Sequence, residues 1–216
     1  MEKSITLAVD AMGGDDSPKK IIKGIELFHK KNMDVFFKIF GNENLINKFI
    51  NNKSIDKIFY EIIHTEEKIE NEDSALSGAK KGKNTSMWKA INSVKDKSSD
   101  AVVSAGNTGA LFVIAKLNLD MIENIEKPAL AGLWPNKKGL NVVLDLGANV
   151  ECNEKNLEDF SLMGSALYRA LFNNDTPKVS LLNIGSEELK GNSILKNTYK
   201  NLNLKKNKIY EFHGYI

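Results

Sequence analysis

The sequence predicts an α/β protein built on a largely parallel sheet, and three observations lead there. Apolar segments such as Ala101 to Val103 show no polar alternation, the pattern of a strand covered on both faces. Stretches with apolar residues three and four apart alternate with these strands and read as helices. Finally, four strands run directly into turns of glycine, amide, hydroxyl and carboxylate residues ahead of a helix. Ligands bind beyond the carboxyl ends of strands in such sheets, so the four turns are expected to converge on one site.

Ile5 to Asp10 is a buried strand ending in an acid, followed by a turn through Gly13, Gly14 and Asp15. Ser17 and Pro18 read as N-cap and first residue of a helix whose apolar face is Ile21, Ile22, Ile25, Leu27 and Phe28. Asp34 to Phe40 is a second strand, Glu43 to Ile50 a short helix and Ile58 to Ile63 a third strand. His64 to Asn84 is polar, contains Lys80, Lys81 and Lys83, and reads as a solvated loop. Thr85, Ser86 and Met87 open a helix with Met87, Trp88, Ile91 and Val94 on one side. It delivers the chain to the strand at Asp100, predicted to be central.

After that strand, Ser104, Gly106, Asn107, Thr108 and Gly109 lead into a helix from Ala110 to Lys116. Unpaired N–H groups and the partial positive charge of a helix start make this a natural phosphate site. The competing reading is that the glycines serve packing alone. Pro128 to Trp134 and Leu140 to Leu146, joined by a turn at Asn136 to Gly139, form a hairpin. A third special turn runs from Asp145 through Asn149, ahead of a helix from about Glu154 to Phe172. Leu157, Phe160, Leu167 and Leu171 are expected on its buried side, with Leu162 and Met163 nearby. Lys178 to Ile184 is a further strand, its turn holds Gly185, Glu187 and Lys190, a helix starts at Ser193, and Ile209 to His213 begins the last strand.

At 216 residues the chain is long enough for a full core, and one α/β domain spanning 1–216 is the simplest expectation. A formal net charge of +2 shows no bias toward nucleic acid. The single cysteine, Cys152, permits no internal disulfide, and no basic start precedes a long apolar run, so a reducing cytoplasm fits. No G-x-G-x-x-G dinucleotide turn and no Walker A loop occur, and His29, His64 and His213 are not spaced for a metal cluster. Asp10, Asp15 and Asp145 sit at strand ends, where acids cap helices and bind turn amides, so neither metal nor cofactor is expected. The turns suit a small anion beside a polar carbonyl, which points to group transfer. Glu151 and Glu154 flank Cys152 and oppose a thiolate, so it is not read as a nucleophile.

Four segments taken together carry a family resemblance: ValAspAlaMetGlyGlyAsp at Val9 to Asp15, SerAlaGlyAsnThrGlyAla at Ser104 to Ala110, AspLeuGlyAlaAsn at Asp145 to Asn149, and AsnIleGlySerGluGluLeuLysGly at Asn183 to Gly191. In order and spacing the chain resembles the bacterial phosphate acyltransferase family of phospholipid synthesis, PlsX, from residue 5 to its last residue. The resemblance implies a three-layer α/β sandwich similar to isocitrate and isopropylmalate dehydrogenases and to phosphotransacetylase. It implies transfer of a long-chain acyl group from acyl carrier protein to inorganic phosphate, by direct attack of phosphate on the thioester and without an acyl-enzyme.

On that basis Lys190, matching the family's lysine in its motif, binds phosphate or holds the thioester oxygen, Glu187 orients it and Asn107 contacts phosphate. Asp10, Gly13, Gly14 and Asp15 of the first turn and Ser86 are expected to bind substrate. So are Ser104, Gly106, Thr108 and Gly109 of the second turn, Asp145 and Asn149 of the third, and Asn183 and Gly185 of the fourth. A homodimer is implied, as is peripheral membrane association through a C-terminal third that the family carries beyond the point where this chain stops. Lysines at Lys80, Lys81 and Lys83 stand where the family is rich in arginine. Two other readings are kept: a phosphate acetyltransferase using acyl coenzyme A, and a non-catalytic carrier-protein or phosphate-binding module.

Overall fold

The computed structural model describes residues 5–51, 54–137, 139–172, 176–185, 190–205 and 209–216. The chain forms two compact units, 1–120 and 121–216.

In the first unit, β1 (Ile5–Asp10), β2 (Val35–Gly41), β3 (Tyr60–His64) and β4 (Ala101–Ser104) make one parallel sheet in the order β3-β2-β1-β4. Side chains alternate across a strand, so Leu7, Val9, Val35, Phe37 and Ile39 make one face of β1 and β2 apolar, while the other mixes Ala8, Phe36 and Phe40 with Thr6, Asp10 and Lys38; both need a cover. Val9, Val35, Phe37 and Ile39 pack with Ile22 and Ile25 of helix α1 (Lys19–His29). Ala8 and Phe40 pack with Ala90 of helix α4 (Ser86–Lys95), which is the other face. The result is helix, sheet and helix in layers, as the βαβ rhythm predicts. Short helix α2 (Glu43–Asn47) follows β2, capped by Asn42, whose side chain accepts from Leu45 N.

Three expectations for this unit are corrected. β4 is an edge strand among the described residues, not a central one: it pairs only with β1, and Val103 is 51% exposed. Its apolar run was shared by β1, and it is β1 that lies between two neighbours. Ser17 does not cap α1. The N-cap position is Pro18, which makes no side-chain cap bond, while the Ser17 hydroxyl donates back to the Gly13 carbonyl and ties the turn together. The polar segment 64–84 is not all loop, since Ala75–Lys80 form helix α3, with the Ser74 side chain accepting from Ser77 N as its cap. Helix α3 lies against helix α5 (Thr108–Asn118): Gly78 faces the Ala110 methyl so closely that a Cβ there would come to 2.9 Å.

In the second unit, β5 (Gly132–Asn136) and β6 (Gly139–Val143) form the expected antiparallel hairpin, and β7 (Lys178–Leu181) pairs in parallel with β8 (Glu211–Tyr215). Leu181, Leu202, Tyr210 and Tyr215 make its small core beneath helix α7 (Ser193–Leu204), with Tyr199 stacked on Tyr215 at 4.8 Å. Helix α6 (Glu154–Leu171) departs from its expected face. Phe160 is buried, but Leu162, Leu167 and Leu171 are 37%, 36% and 48% exposed, while Asn156, Glu158, Asp159, Ser161 and Ser165 are buried.

The five buried polar side chains just named are all hydrogen-bonded, which is what makes their burial tolerable, whereas Arg169 Nε on the same helix is buried without a hydrogen-bond partner among the described residues. Ser161 and Ser165 donate to the carbonyls of Leu157 and Ser161 at 2.9 and 2.6 Å. Glu158 accepts from Asn201 and pairs with Lys205, and Asp159 accepts from Glu126 N and pairs with Lys155.

Candidate functional site

The first unit brings two of the predicted turns together around one carboxylate. Asp10 ends β1 and is 1% exposed. Its Oδ1 accepts from the Ser86 hydroxyl at 2.6 Å and from Met12 N at 3.2 Å, and its Oδ2 from the Ser104 hydroxyl at 2.7 Å. Ser104 Oγ in turn accepts from Gly106 N at 3.1 Å. The parallel register pairs Asp10 with Ser104, so two strand ends and the start of α4 meet at this point. A buried carboxylate with three donors is a stable arrangement. Asp10, Ser86 and Ser104 therefore hold the turns against each other.

The glycines of these turns serve the same end. A Cβ on Gly13 would lie 2.7 Å from both Asp10 Oδ2 and Gly106 N, so backbone meets backbone there. Gly14 adopts φ +85°, and a Cβ on it would lie 2.5 Å from the Ala105 carbonyl oxygen. Gly14→Ala is therefore expected to lose at least about 2 kcal/mol of stability, from the left-handed backbone and the collision together. A urea midpoint equal to wild type would show that the turn relaxes freely. At Gly109 a Cβ would come 2.9 Å from the Ala75 methyl, where α3 lies alongside.

Asn107 is the N-cap of α5, its Oδ1 accepting from Ala110 N at 2.9 Å. Its amide nitrogen donates to the carbonyls of Asn71 and Asp73, at 3.0 and 2.7 Å. The side chain is thus committed on both ends, pinning segment 68–73 across the turns. Asn71 extends that strap by donating to Asp15 Oδ1 at 2.9 Å. Lys81 Nζ lies 2.6 Å from Asp73 Oδ2, and the Lys81 ammonium, followed by a bond from Glu70 N–H, holds the Asp73 carboxyl below the usual carboxylate range. The strap residues Asn71 and Asp73 escaped the sequence reading; the one local signal was the Ser74 cap that starts a helix inside a polar run.

A cleft of about 230 Å³ lies between the strap and the first turn, lined by Asp15, Asp16, Ser17, Lys68, Glu70 and Glu72 among others. Four acids against one lysine, itself 3.0 Å from Glu70, oppose a free anion. Thr108 and Gly109 supply the first N–H groups of α5, which a helix start leaves without intrahelical partners.

The second unit holds the other two turns. Asp145 Oδ1 accepts from Leu130 N at 2.7 Å, and Oδ2 from Asn149 N and Nδ2 at 2.8 and 3.1 Å. Asn149 Nδ2 also donates to the Pro128 carbonyl at 2.9 Å, so Asp145 and Asn149 clamp the turn to the segment before the hairpin. At the fourth turn, Asn183 N donates to the Ile216 carbonyl and Asn183 Nδ2 to the Lys190 carbonyl, at 3.0 and 3.2 Å. Gly191, at φ +91°, lies where a Cβ would be 2.6 Å from Asn183 Oδ1. Asn183 thus closes the two ends of the loop, with Gly185 on one side and exposed Lys190 on the other. Glu187 lies outside the described residues.

Cys152 is half-buried, and burial, more than any charge, pushes its thiol up; Lys127 opposes that and Asp145 adds to it. The flanking acids named from the sequence are not the cause. Alkylation of Cys152 by iodoacetamide is therefore expected to be slow at pH 7 and to accelerate only above the usual thiol range, as the thiolate appears. Rapid labelling at pH 7 would contradict this. Among the described residues, no group of three or more His, Cys, Asp or Glu side chains is placed to hold a metal ion, and no helix is long and apolar enough to cross a membrane.

Residues 5–216 match the family described as Fatty acid synthesis protein. The chain is 61% identical over 216 residues to a phosphate acyltransferase of Pelagibacter ubique, covering 100% of this chain and 64% of that protein. It is 42% identical over 217 residues to a phosphate acyltransferase of Parvibaculum lavamentivorans, covering 100% of this chain and 60% of that one. The chain thus spans less than two thirds of the length of these curated relatives. Among solved structures, the EutD phosphotransacetylase from Staphylococcus aureus is similar with a TM-score of 0.68 at 14% identity, over 98% of this chain and 68% of that chain. A phosphotransacetylase from Streptococcus pyogenes gives 0.61 at 15%, over 92% and 63%. At such identities these two show a shared α/β fold with a mostly parallel central sheet. The match over residues 5–216, with that fold beneath it, places this chain in the Fatty acid synthesis protein family.

Proposed function

We propose that this chain serves a phosphate acyltransferase that moves a long-chain acyl group from acyl carrier protein to inorganic phosphate, supplying acyl phosphate for phospholipid synthesis. The observation that carries the reading is the 61% identity, along the whole chain, to a protein named phosphate acyltransferase. Phosphate sits at the start of α5, where the Thr108 and Gly109 N–H groups point out of the helix. One of its oxygens attacks the thioester carbonyl carbon, the carbon–sulfur bond breaks, and the thiolate leaves and takes a proton from water. The family resemblance gives Lys190 the role of binding phosphate or of meeting the negative charge that builds on the thioester carbonyl oxygen, with Glu187 orienting it. Asp10, Ser86, Ser104 and the turn glycines keep the α5 start in place, and Asp145, Asn149, Asn183 and Gly185 do the same for their own turns.

The enzyme acts in the cytoplasm as a homodimer, with peripheral contact to the membrane where its product is used. The test is phosphate-dependent release of thiol from acyl carrier protein, set beside acyl coenzyme A. Release from the carrier substrate, with acyl phosphate as the product, is expected. Turnover of acyl coenzyme A alone would make it a phosphate acetyltransferase-like enzyme, and carrier binding without turnover would make it a binding module.

A further inference from the structure

Helix α1 turns Ile22, Ile25 and His29 into the core of the first unit, where they are 1%, 6% and 5% exposed. Its outer side carries Lys19, Lys20 and Lys23, with Lys30 at its C-cap and Lys31 in the turn beyond, all exposed, around Leu27 and Phe28, which are 53% and 43% exposed. Helical spacing puts Lys20, Gly24, Leu27 and Phe28 on one stripe, and Lys31 follows it in the turn. Gly24 is the telling residue. A glycine weakens a helix interior relative to alanine, and elsewhere in this unit the glycines have a reason: a Cβ at Gly13 or Gly78 would collide at 2.7 or 2.9 Å. At Gly24 a Cβ would meet nothing within 4 Å. No packing within the described chain asks for a glycine here, whereas the close approach of another molecule does.

We propose that this stripe of α1 is the docking surface for the acyl carrier protein, with an acidic segment of the carrier lying across Gly24. The inference rests on the function proposed above. Its carboxylates meet the lysines and its apolar residues cover Leu27 and Phe28. Charge complementarity selects the occupant: five lysines line the face, and the two acids paired with them are Asp16, with Lys20 at 3.4 Å, and Glu26, with Lys23 at 3.6 Å. A bilayer is a poorer match, because membrane binding grows with buried apolar area and α1 keeps its apolar face inside the core, offering only two apolar side chains outward. The location also suits delivery. α1 starts directly after the Gly13 to Ser17 turn, and its 11 residues extend about 16 Å from it, so a carrier along the stripe lies within reach of the turns that end β1 and β4.

The test measures binding of acyl carrier protein to the 216-residue chain by titration at low and high salt, for wild type, Gly24→Gln and Lys19→Glu/Lys20→Glu. Glutamine favours the helix over glycine, and in Lys19→Glu/Lys20→Glu the gain from acids in a first helical turn offsets the loss of the exposed Lys20–Asp16 pair. Wild-type binding that weakens with salt, at least 10-fold weaker binding by each variant, and thermal midpoints equal to or above wild type are expected. Wild type and variants binding the carrier equally would overturn the docking surface and leave the proposed function standing. A wild type that does not bind the carrier at all would overturn the proposed function itself. Loss in the variants of binding to phosphatidylglycerol vesicles, with carrier binding unchanged, would make the face a lipid contact. A changed oligomeric state in Gly24→Gln would make it an interface between copies of this chain.

Discussion

Asp10→Ala is expected to lower the unfolding free energy by about 3 kcal/mol, read as a fall in the urea midpoint at constant slope. The carboxylate is 1% exposed and accepts from Ser86, Ser104 and Met12 N. Removing it leaves three donors facing a small void at the joint of β1, β4 and α4. Asp10→Asn keeps the shape and one acceptor oxygen, so its loss should be about half as large. Amide exchange should quicken first at Met12 and Gly106, whose N–H groups bond to Asp10 and to Ser104. An alanine variant as stable as wild type would mean that the serine hydroxyls find other partners and that Asp10 is not the joint. Lost turnover in a fully stable Asp10→Asn would instead give the carboxylate a part in the chemistry.

Lys190→Ala is expected to cut phosphate-dependent thiol release about 100-fold while leaving the thermal midpoint within about 2 °C of wild type. The backbone at this position is fixed, since its carbonyl accepts from Asn183 Nδ2, whereas the residue is exposed. Truncating the side chain therefore removes charge without removing core. A positioned cation that meets charge only in the transition state lowers kcat more than it raises KM for phosphate. Lys190→Arg keeps the charge and should recover part of the rate. Wild-type turnover by Lys190→Ala at saturating phosphate would make it a surface lysine and move the electrostatic role elsewhere.

The sequence by itself determined the βαβ order and the turns that follow β1, β4 and β6, and it predicted a hairpin with strands at 128–134 and 140–146 that the structure places at 132–136 and 139–143, because these depend on hydrophobic period and on local turn chemistry. It also carried the family, since four short segments in fixed order and spacing are specific where any one of them is not. The glycines were legible as requirements but not as to purpose. Whether Gly13 approaches a phosphate or a neighbouring backbone depends on a second chain segment, and only the structure puts Gly106 N 2.7 Å from its would-be Cβ. Asn107 is a parallel case: its cap of α5 is local, but its two bonds to the strap at 71–73 join residues more than 30 positions apart. The same limit applied to α6. Periodicity assigns apolar residues to a buried side, yet Glu158 and Asp159 are buried: Lys155, one turn back on the same helix, pairs with Asp159, while Asn201, Lys205 and Glu126 N come from elsewhere in the chain. Ser161 and Ser165 can be buried on local bonds to their own helix, but a carboxylate such as Glu158, whose partners lie more than 40 residues away, is buried only if they arrive, and that is a property of tertiary structure.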